Sequence, residues 1–313
     1  MIWMVIKVKN LVKRYKELIA LDHFNMEVEE GEILGLLGPN GCGKTTVINC
    51  ILSLLNFDKG EIEVFGKKMT PNSYDIKKQI GLVPQEVSVF SNLTVNENID
   101  YFCGLYIDNK SLRKEYVEEA IEFVGLKDYT KFYPKKLSGG LKRRLNIACG
   151  IAHKPKLIFL DEPTVAVDAQ SRNFILNGIK ELNKQGSTII YTTHYLEEAE
   201  LLCNRITIMD KGKALVSGSK DELLSMITTS EKITVKFLTV QDITVMKMKN
   251  LPHVIDIEED NENYMIKFEN GFNNLTNLLE FIKENNLIYS KLYSQLPTLN
   301  DVFLELTGRG LRD

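Results

Sequence analysis

The 313-residue sequence predicts an α/β domain with a largely parallel sheet, followed by a smaller α+β domain. Three observations carry that prediction. Runs that are apolar at nearly every position, Ile33-Leu34-Gly35-Leu36-Leu37, Leu157-Ile158-Phe159-Leu160 and Thr188-Ile189-Ile190-Tyr191, suit strands covered on both faces. Helical periodicity follows each run, over residues 45–55, 168–182 and 196–203, giving the strand-then-helix alternation of a parallel sheet. After Gly218 the order becomes strand, helix, strand, strand, helix, strand, that of a ferredoxin-like split βαβ unit.

In the first domain Phe24, Met26 and Val28 alternate with polar residues, and Ile62, Val64 and Phe65 do so less cleanly, as expected of half-exposed antiparallel strands flanking the core. Residues 86–136 hold no strand pattern, only helical runs such as 115–124, and read as a helical insertion within a subdomain of about 86–154. In the second domain Ile233, Val235 and Phe237 alternate as a strand, and residues 242–251 are helical. Strands at 254–258 and 264–268 flank the polar turn Glu259-Asp260-Asn261; a helix at 275–284, a strand at 287–292 and a helix at 299–307 complete it. The expected domains are residues 1–219 and 220–313.

Composition narrows the function. With 44% hydrophobic and 26% charged residues the chain can bury two cores, which excludes disordered and fibrous classes. The net charge of -3 divides unevenly: residues 220–313 hold 10 basic and 15 acidic residues, residues 1–219 hold 29 and 27. Neither part is the basic module of a nucleic-acid binder, so no nucleic-acid partner is expected. Five scattered cysteines without metal or redox spacing fit a reducing setting. The apolar start is interrupted by Lys7 and Lys9 too soon for a signal peptide, and no apolar run approaches the ~18 residues of a spanning helix.

Gly38-Pro39-Asn40-Gly41-Cys42-Gly43-Lys44-Thr45 matches the phosphate-binding loop G-x-x-x-x-G-K-[ST] and sits between a strand and a helix, as its mechanism requires. Its glycines let backbone N–H groups converge on an anion, Lys44 reaches the outer phosphates and the Thr45 hydroxyl suits Mg²⁺. Asp161 and Glu162 end a buried strand: Asp161 is the expected metal residue, and Glu162 is poised to activate water. Cys42 reads as a small tolerated residue rather than a redox switch.

The phosphate loop, Gln85, Leu137-Ser138-Gly139-Gly140-Leu141, Asp161-Glu162, Asp168 and His194 follow in an order and spacing that resemble the ATP-binding cassette of ABC transporters, over residues 1–219. The resemblance implies a phosphate-loop NTPase fold with a helical subdomain, ATP and Mg²⁺ as ligands, and two cassettes sandwiching two nucleotides. It implies nucleotide contacts from Tyr15, Gly38, Asn40, Gly41, Gly43, Lys44, Thr45, Thr46, Gln85 and Asp168, with Ser138, Gly139 and Gly140 facing the partner cassette's nucleotide. It assigns Mg²⁺ to Thr45, Gln85 and Asp161, and catalysis to Glu162, His194 and Lys44. Two residues depart from the family pattern. Leu141 stands where a Gln is usual, and Ala166 where Gly is frequent, which restricts the backbone if that position needs positive φ. Both departures are compatible with slower turnover or weaker dimer coupling, and neither implies inactivity, because Glu162 is intact.

Residues 92–98 and 103–106 and the tail from Pro297 to Gly308 resemble the drug-resistance and bacteriocin-export branch. The expected function is the ATPase subunit of an exporter of a drug, antimicrobial peptide, lipid or ion, at the cytoplasmic face of the membrane. Its permease would be a separate chain docking near Gln85 to Tyr106. The competing expectations are an importer ATPase whose C-terminal domain binds a regulatory ligand, and a soluble cassette ATPase acting on ribosomes or DNA, which would need two cassettes in one chain or long coiled-coil insertions, together with basic surface.

Overall fold

The computed structural model describes residues 3–238, 242–260, 263–269 and 273–308; Asn261 of the expected turn lies outside them. The chain divides after Ser219 into two compact units.

The first unit contains β1 (Met4–Tyr15), β2 (Leu18–Glu29), β3 (Ile33–Leu37), α1 (Lys44–Ile51), β4 (Lys59–Val64), β5 (Lys67–Lys68), α2 (Tyr74–Lys77), β6 (Ile80–Val83), α3 (Val95–Gly104), α4 (Lys110–Phe123), α5 (Gly139–Ile151), β7 (Leu157–Asp161), α6 (Ala169–Lys184), β8 (Thr188–Thr193), α7 (Leu196–Leu202), β9 (Arg205–Asp210) and β10 (Lys213–Gly218). An antiparallel sheet has the order β2-β1-β4-β5 and a six-stranded sheet the order β10-β9-β3-β8-β7-β6. In the latter only the β10–β9 pair is antiparallel.

The apolar runs are continuous because alternate side chains enter different cores. Leu34, Leu36, Phe159 and Ile190 pack toward the antiparallel sheet, with Phe24, Met26 and Val28 of β2. Ile33, Ile158, Leu160, Ile189 and Tyr191 pack toward the helices between residues 95 and 151. Burying both faces of a strand removes apolar surface at about 25 cal/mol per Å², which offsets the entropy of fixing it.

The helical region has a defined entry. Thr94 and Glu97 form a reciprocal capping box at the start of α3. One residue on, the fully buried Asn98 amide donates to the carbonyls of Phe90, Leu93 and Thr94 at 2.9–3.0 Å, and its oxygen accepts from the Phe90 N–H at 2.8 Å. Several expected bounds shift. Helix α1 stops at Ile51, with Ser53 turned to φ 50; Phe65, at φ 52, leaves the strand ending at Val64; and α4 begins at Lys110, capped by Asn109.

The second unit contains α8 (Lys220–Leu224), β11 (Thr229–Phe237), α9 (Asp242–Met248), β12 (Val254–Asp260), β13 (Asn263–Glu269), α10 (Asn274–Glu284), β14 (Tyr289–Gln295) and α11 (Leu299–Thr307). From β11 to β14 this is the ferredoxin-like order, with strands arranged β12-β13-β11-β14. Ile233, Val235 and Phe237 pack with Ile266, Phe268, Leu278 and Ile282. On the opposite face the buried Lys232 pairs with Asp301 at 2.8 Å. Burial alone would raise the Asp301 pKa, but the bonds from Lys232 and Thr298 outweigh it and hold the carboxyl below its ordinary value. No helix among the described residues is long and apolar enough to cross a membrane.

Candidate active site

Parallel register pairs Leu37 with Thr193 and Asp161 with Thr192. The loop after β3, the carboxylates ending β7 and His194 after β8 therefore meet at the C-terminal edge of the sheet, where open α/β sheets bind ligands. Gly43 ends the loop at φ 112, and a Cβ there would lie 2.8 Å from the Ala20 carbonyl oxygen, so only glycine fits. The orphan N–H groups of the first turn of α1 follow, the feature that makes a helix start an anion site.

Lys44 is buried, and its Nζ donates to the Gly38 carbonyl at 2.8 Å and the Pro39 carbonyl at 3.2 Å. It also lies 3.2 Å from Oε1 of Glu162. The other Glu162 oxygen accepts from Gln85 Nε2 at 3.4 Å and stands 3.3 Å from His194 Nδ1, close but misaligned for a hydrogen bond. Glu162 thus lies at the centre of Lys44, Gln85 and His194. Its φ of 46 is left-handed, a conformation that costs a side-chain-bearing residue roughly 1 kcal/mol. Its N–H donates to the Thr192 hydroxyl at 3.0 Å, which helps hold that turn.

Asp161 accepts from the Thr45 hydroxyl at 2.8 Å through one oxygen and from the Thr192 hydroxyl at 2.6 Å through the other. A hydroxyl and a carboxylate side by side at a phosphate loop fit Mg²⁺, which takes hard oxygen donors and shares its remaining positions with substrate phosphates and water. Asn40, Gly41, Lys44, Thr45 and Thr46 border a cleft of about 490 Å³ shared with Tyr15, Gln85 and Glu162. The Tyr15 ring is exposed, with the Lys13 ammonium 5.0 Å from its centroid, and can offer a face to a purine.

Ser138, Gly139, Gly140 and Asp168 do not line that cleft; they form a second constellation. Ser138 caps α5 by accepting from the Leu141 N–H at 3.3 Å. Asp168 caps α6 by accepting from the Ser171 N–H and hydroxyl, both at 2.8 Å, and these bonds lower its pKa. A Cβ on Gly140 would overlap the Ser171 hydroxyl and lie 3.1 Å from Asp168 Oδ2, so the two helix starts are packed on each other. Leu141 contributes its backbone N–H and turns its side chain to the helical core. Ala166 has φ 59, so its position does use the left-handed region.

Sequence reasoning missed Arg143 and Asn146. In sequence Arg143 belongs to a basic run, Lys142-Arg143-Arg144, but it is buried and donates to the Pro84 carbonyl at 3.0 Å and the Gln85 carbonyl at 2.6 Å. Asn146, one turn on, donates to the Pro84 carbonyl at 3.2 Å and accepts from the Ser88 N–H at 3.0 Å. Together they tie the Gln85 loop to the helix that Ser138 starts. The available signal was their i, i+3 spacing, which puts both on one helix face. Cys42 is buried and its thiol pKa is pushed up by burial, the opposite of a reactive thiolate.

A glycine loop around a buried lysine, with paired carboxylates at the end of β7, one strand removed from β3, and a helical insertion, defines a phosphate-loop nucleotide hydrolase. Residues 21–165 match the ABC transporter family. Linearmycin resistance ATP-binding protein LnrL of Bacillus subtilis (strain 168) is 36% identical over 99% of this chain and 100% of its own. Daunorubicin resistance ATP-binding protein DrrA3 of Streptomyces coeruleorubidus is 31% identical over 97% of this chain and 96% of its own. The dimeric, ADP- and phosphate-bound ATP-binding cassette MJ0796 superposes with a TM-score of 0.64 at 28% identity, covering 68% of this chain and 98% of that one. The chain belongs to the ABC transporter ATP-binding protein family and is an ATPase.

Proposed function

We propose that the chain powers export through a separate transmembrane permease, as one of two cassettes held at the cytoplasmic face of the membrane. The observation that carries this reading is the match of both units, end to end, to relatives named for drug resistance. Those names support a drug as the cargo, within the expected class of drug, antimicrobial peptide, lipid or ion.

In the proposed cycle Lys44 exchanges Glu162 for the outer phosphates of ATP, and Tyr15 stacks on adenine. Thr45 and Asp161, with Gln85 beside them, would hold Mg²⁺, whose charge offsets that of the phosphates. Glu162, released from Lys44, orients water and takes its proton, and His194 steadies the γ-phosphate. Phosphoryl transfer depends on positioning and preorganised charge, which these residues supply together. Ser138, Gly139, Gly140 and Asp168 would meet the nucleotide of the second cassette.

Affinity capture of the full chain from detergent extracts is expected to recover a multi-spanning membrane protein, and loss of the chain is expected to sensitise cells to an amphiphilic drug. Co-purification with ribosomes, or ATPase inhibition by an amino acid bound to residues 220–313, would overturn the reading.

A further inference from the structure

Glu198, on α7, is a carboxylate with 3% exposure that touches neither the cleft nor the phosphate loop. Its Oε2 accepts three hydroxyl hydrogen bonds: from Tyr191 at 2.7 Å, Thr164 at 2.8 Å and Thr193 at 3.1 Å. All three donors are themselves buried. A carboxylate can only accept, so each hydroxyl is committed in direction. Oε1 stands 3.4 Å from Nε of Arg172, on the helix that Asp168 caps, without hydrogen-bond alignment.

The donors come from two segments. Thr164 is two residues beyond Glu162; Thr193 immediately precedes His194, and its hydroxyl also accepts from the Tyr195 N–H at 2.9 Å. Arg172 lies over the Tyr195 ring at 4.8 Å, and that ring lies 4.2 Å from the His194 ring. We infer that Glu198 is a positioning residue for hydrolysis, one buried carboxylate that sets the Glu162 turn and the His194 turn in register with the Asp168 helix. The inference rests on the reading of Glu162 as the base and His194 as the γ-phosphate contact. A buried charge is a costly way to join two loops, because its desolvation must be repaid by every bond it makes. Its advantage is a shared acceptor: displacing either loop breaks a charge-assisted bond, so the two loops are held at one relative position.

The test is steady-state MgATP hydrolysis by the full chain, comparing Glu198→Gln, Thr164→Val, Thr193→Val and Glu162→Gln with wild type. Glu198→Gln is expected to lower kcat at least tenfold and each Thr→Val about threefold, with KM for ATP within twofold of wild type, because Lys44 and Tyr15 make no bond to the cluster. The Glu198→Gln/Thr193→Val double variant is expected to be no slower than Glu198→Gln, the non-additivity of residues acting as a unit. Wild-type kcat in Glu198→Gln, or kcat and KM failing together with a lowered thermal midpoint, would overturn the assignment. If Glu198→Gln does not fold, wild-type kcat in Thr193→Val overturns it instead. Full turnover in Glu162→Gln removes the underlying reading and this inference with it. An inactive Glu162→Gln beside a normal Glu198→Gln overturns the positioning role alone.

Discussion

Nζ of Lys44 lies 3.2 Å from Oε1 of Glu162, and both side chains are almost completely buried. On the proposed reading the cation meant for phosphate and the carboxylate meant for water neutralise each other here, and substrate would separate them. Binding would then be coupled to arming of the base, since phosphate oxygens would compete with Glu162 for the same ammonium.

Removing the lysine alone leaves a buried charge unpaired. Lys44→Met is expected to lower stability by about 3 kcal/mol, and Lys44→Met/Glu162→Gln to recover most of that loss. Denaturant melts of the two variants without nucleotide check this. ATP affinity falls at least tenfold in both.

Gly140 has no room for a methyl group against Ser171 and Asp168. Gly140→Ala is expected to cost about 1–3 kcal/mol through overpacking, seen as a lower thermal midpoint. Gly140→Ala/Ser171→Gly, which vacates the space, is expected to regain more than half of it.

The parts of the site legible in sequence are those fixed by local chemistry. The loop from Gly38 to Thr45 needs particular residues at particular spacings, and the runs preceding Asp161 and His194 are apolar because both faces are covered. Strand β1 was not legible, because register shifts between Val8 and Leu11 and around Lys13 break its alternation. Edge strand β14 runs from 289 to 295 rather than 287 to 292, its mostly exposed side chains carrying little pattern. The spacing of Arg143 and Asn146 puts them on one helix face but does not say that the face turns inward, and the hydroxyls around Glu198 come from segments far apart in the chain.

Ala166 tests the cost of the family departure. At φ 59 a methyl costs roughly 1 kcal/mol, while glycine costs a similar amount in unfolded-chain entropy. Ala166→Gly is therefore expected to leave the melting temperature nearly unchanged and to raise ATPase activity, whereas Ala166→Val, β-branched at positive φ, lowers both.

His153 gives the cassette unit a pH dependence. Its Nε2 bonds the Ile80 carbonyl at 3.0 Å, so that nitrogen carries the proton, and burial lowers its pKa. As pH falls below about 6.5 the unfolded chain gains a proton that the folded chain refuses, so stability is full above that pH and declines below it until the lowered folded value is reached. Between pH 7.5 and 5.5 wild type is expected to lose more thermal stability than His153→Gln.

On the proposed reading Glu162 is the base, held in reserve by Lys44. Single-turnover hydrolysis by Glu162→Gln, with ATP binding measured on the same sample, isolates that role. Cleavage is expected to be at least a hundredfold slower, the scale of a lost general base, with ATP bound as tightly as wild type or more so because Lys44 no longer faces a carboxylate. Wild-type cleavage by that variant would contradict it.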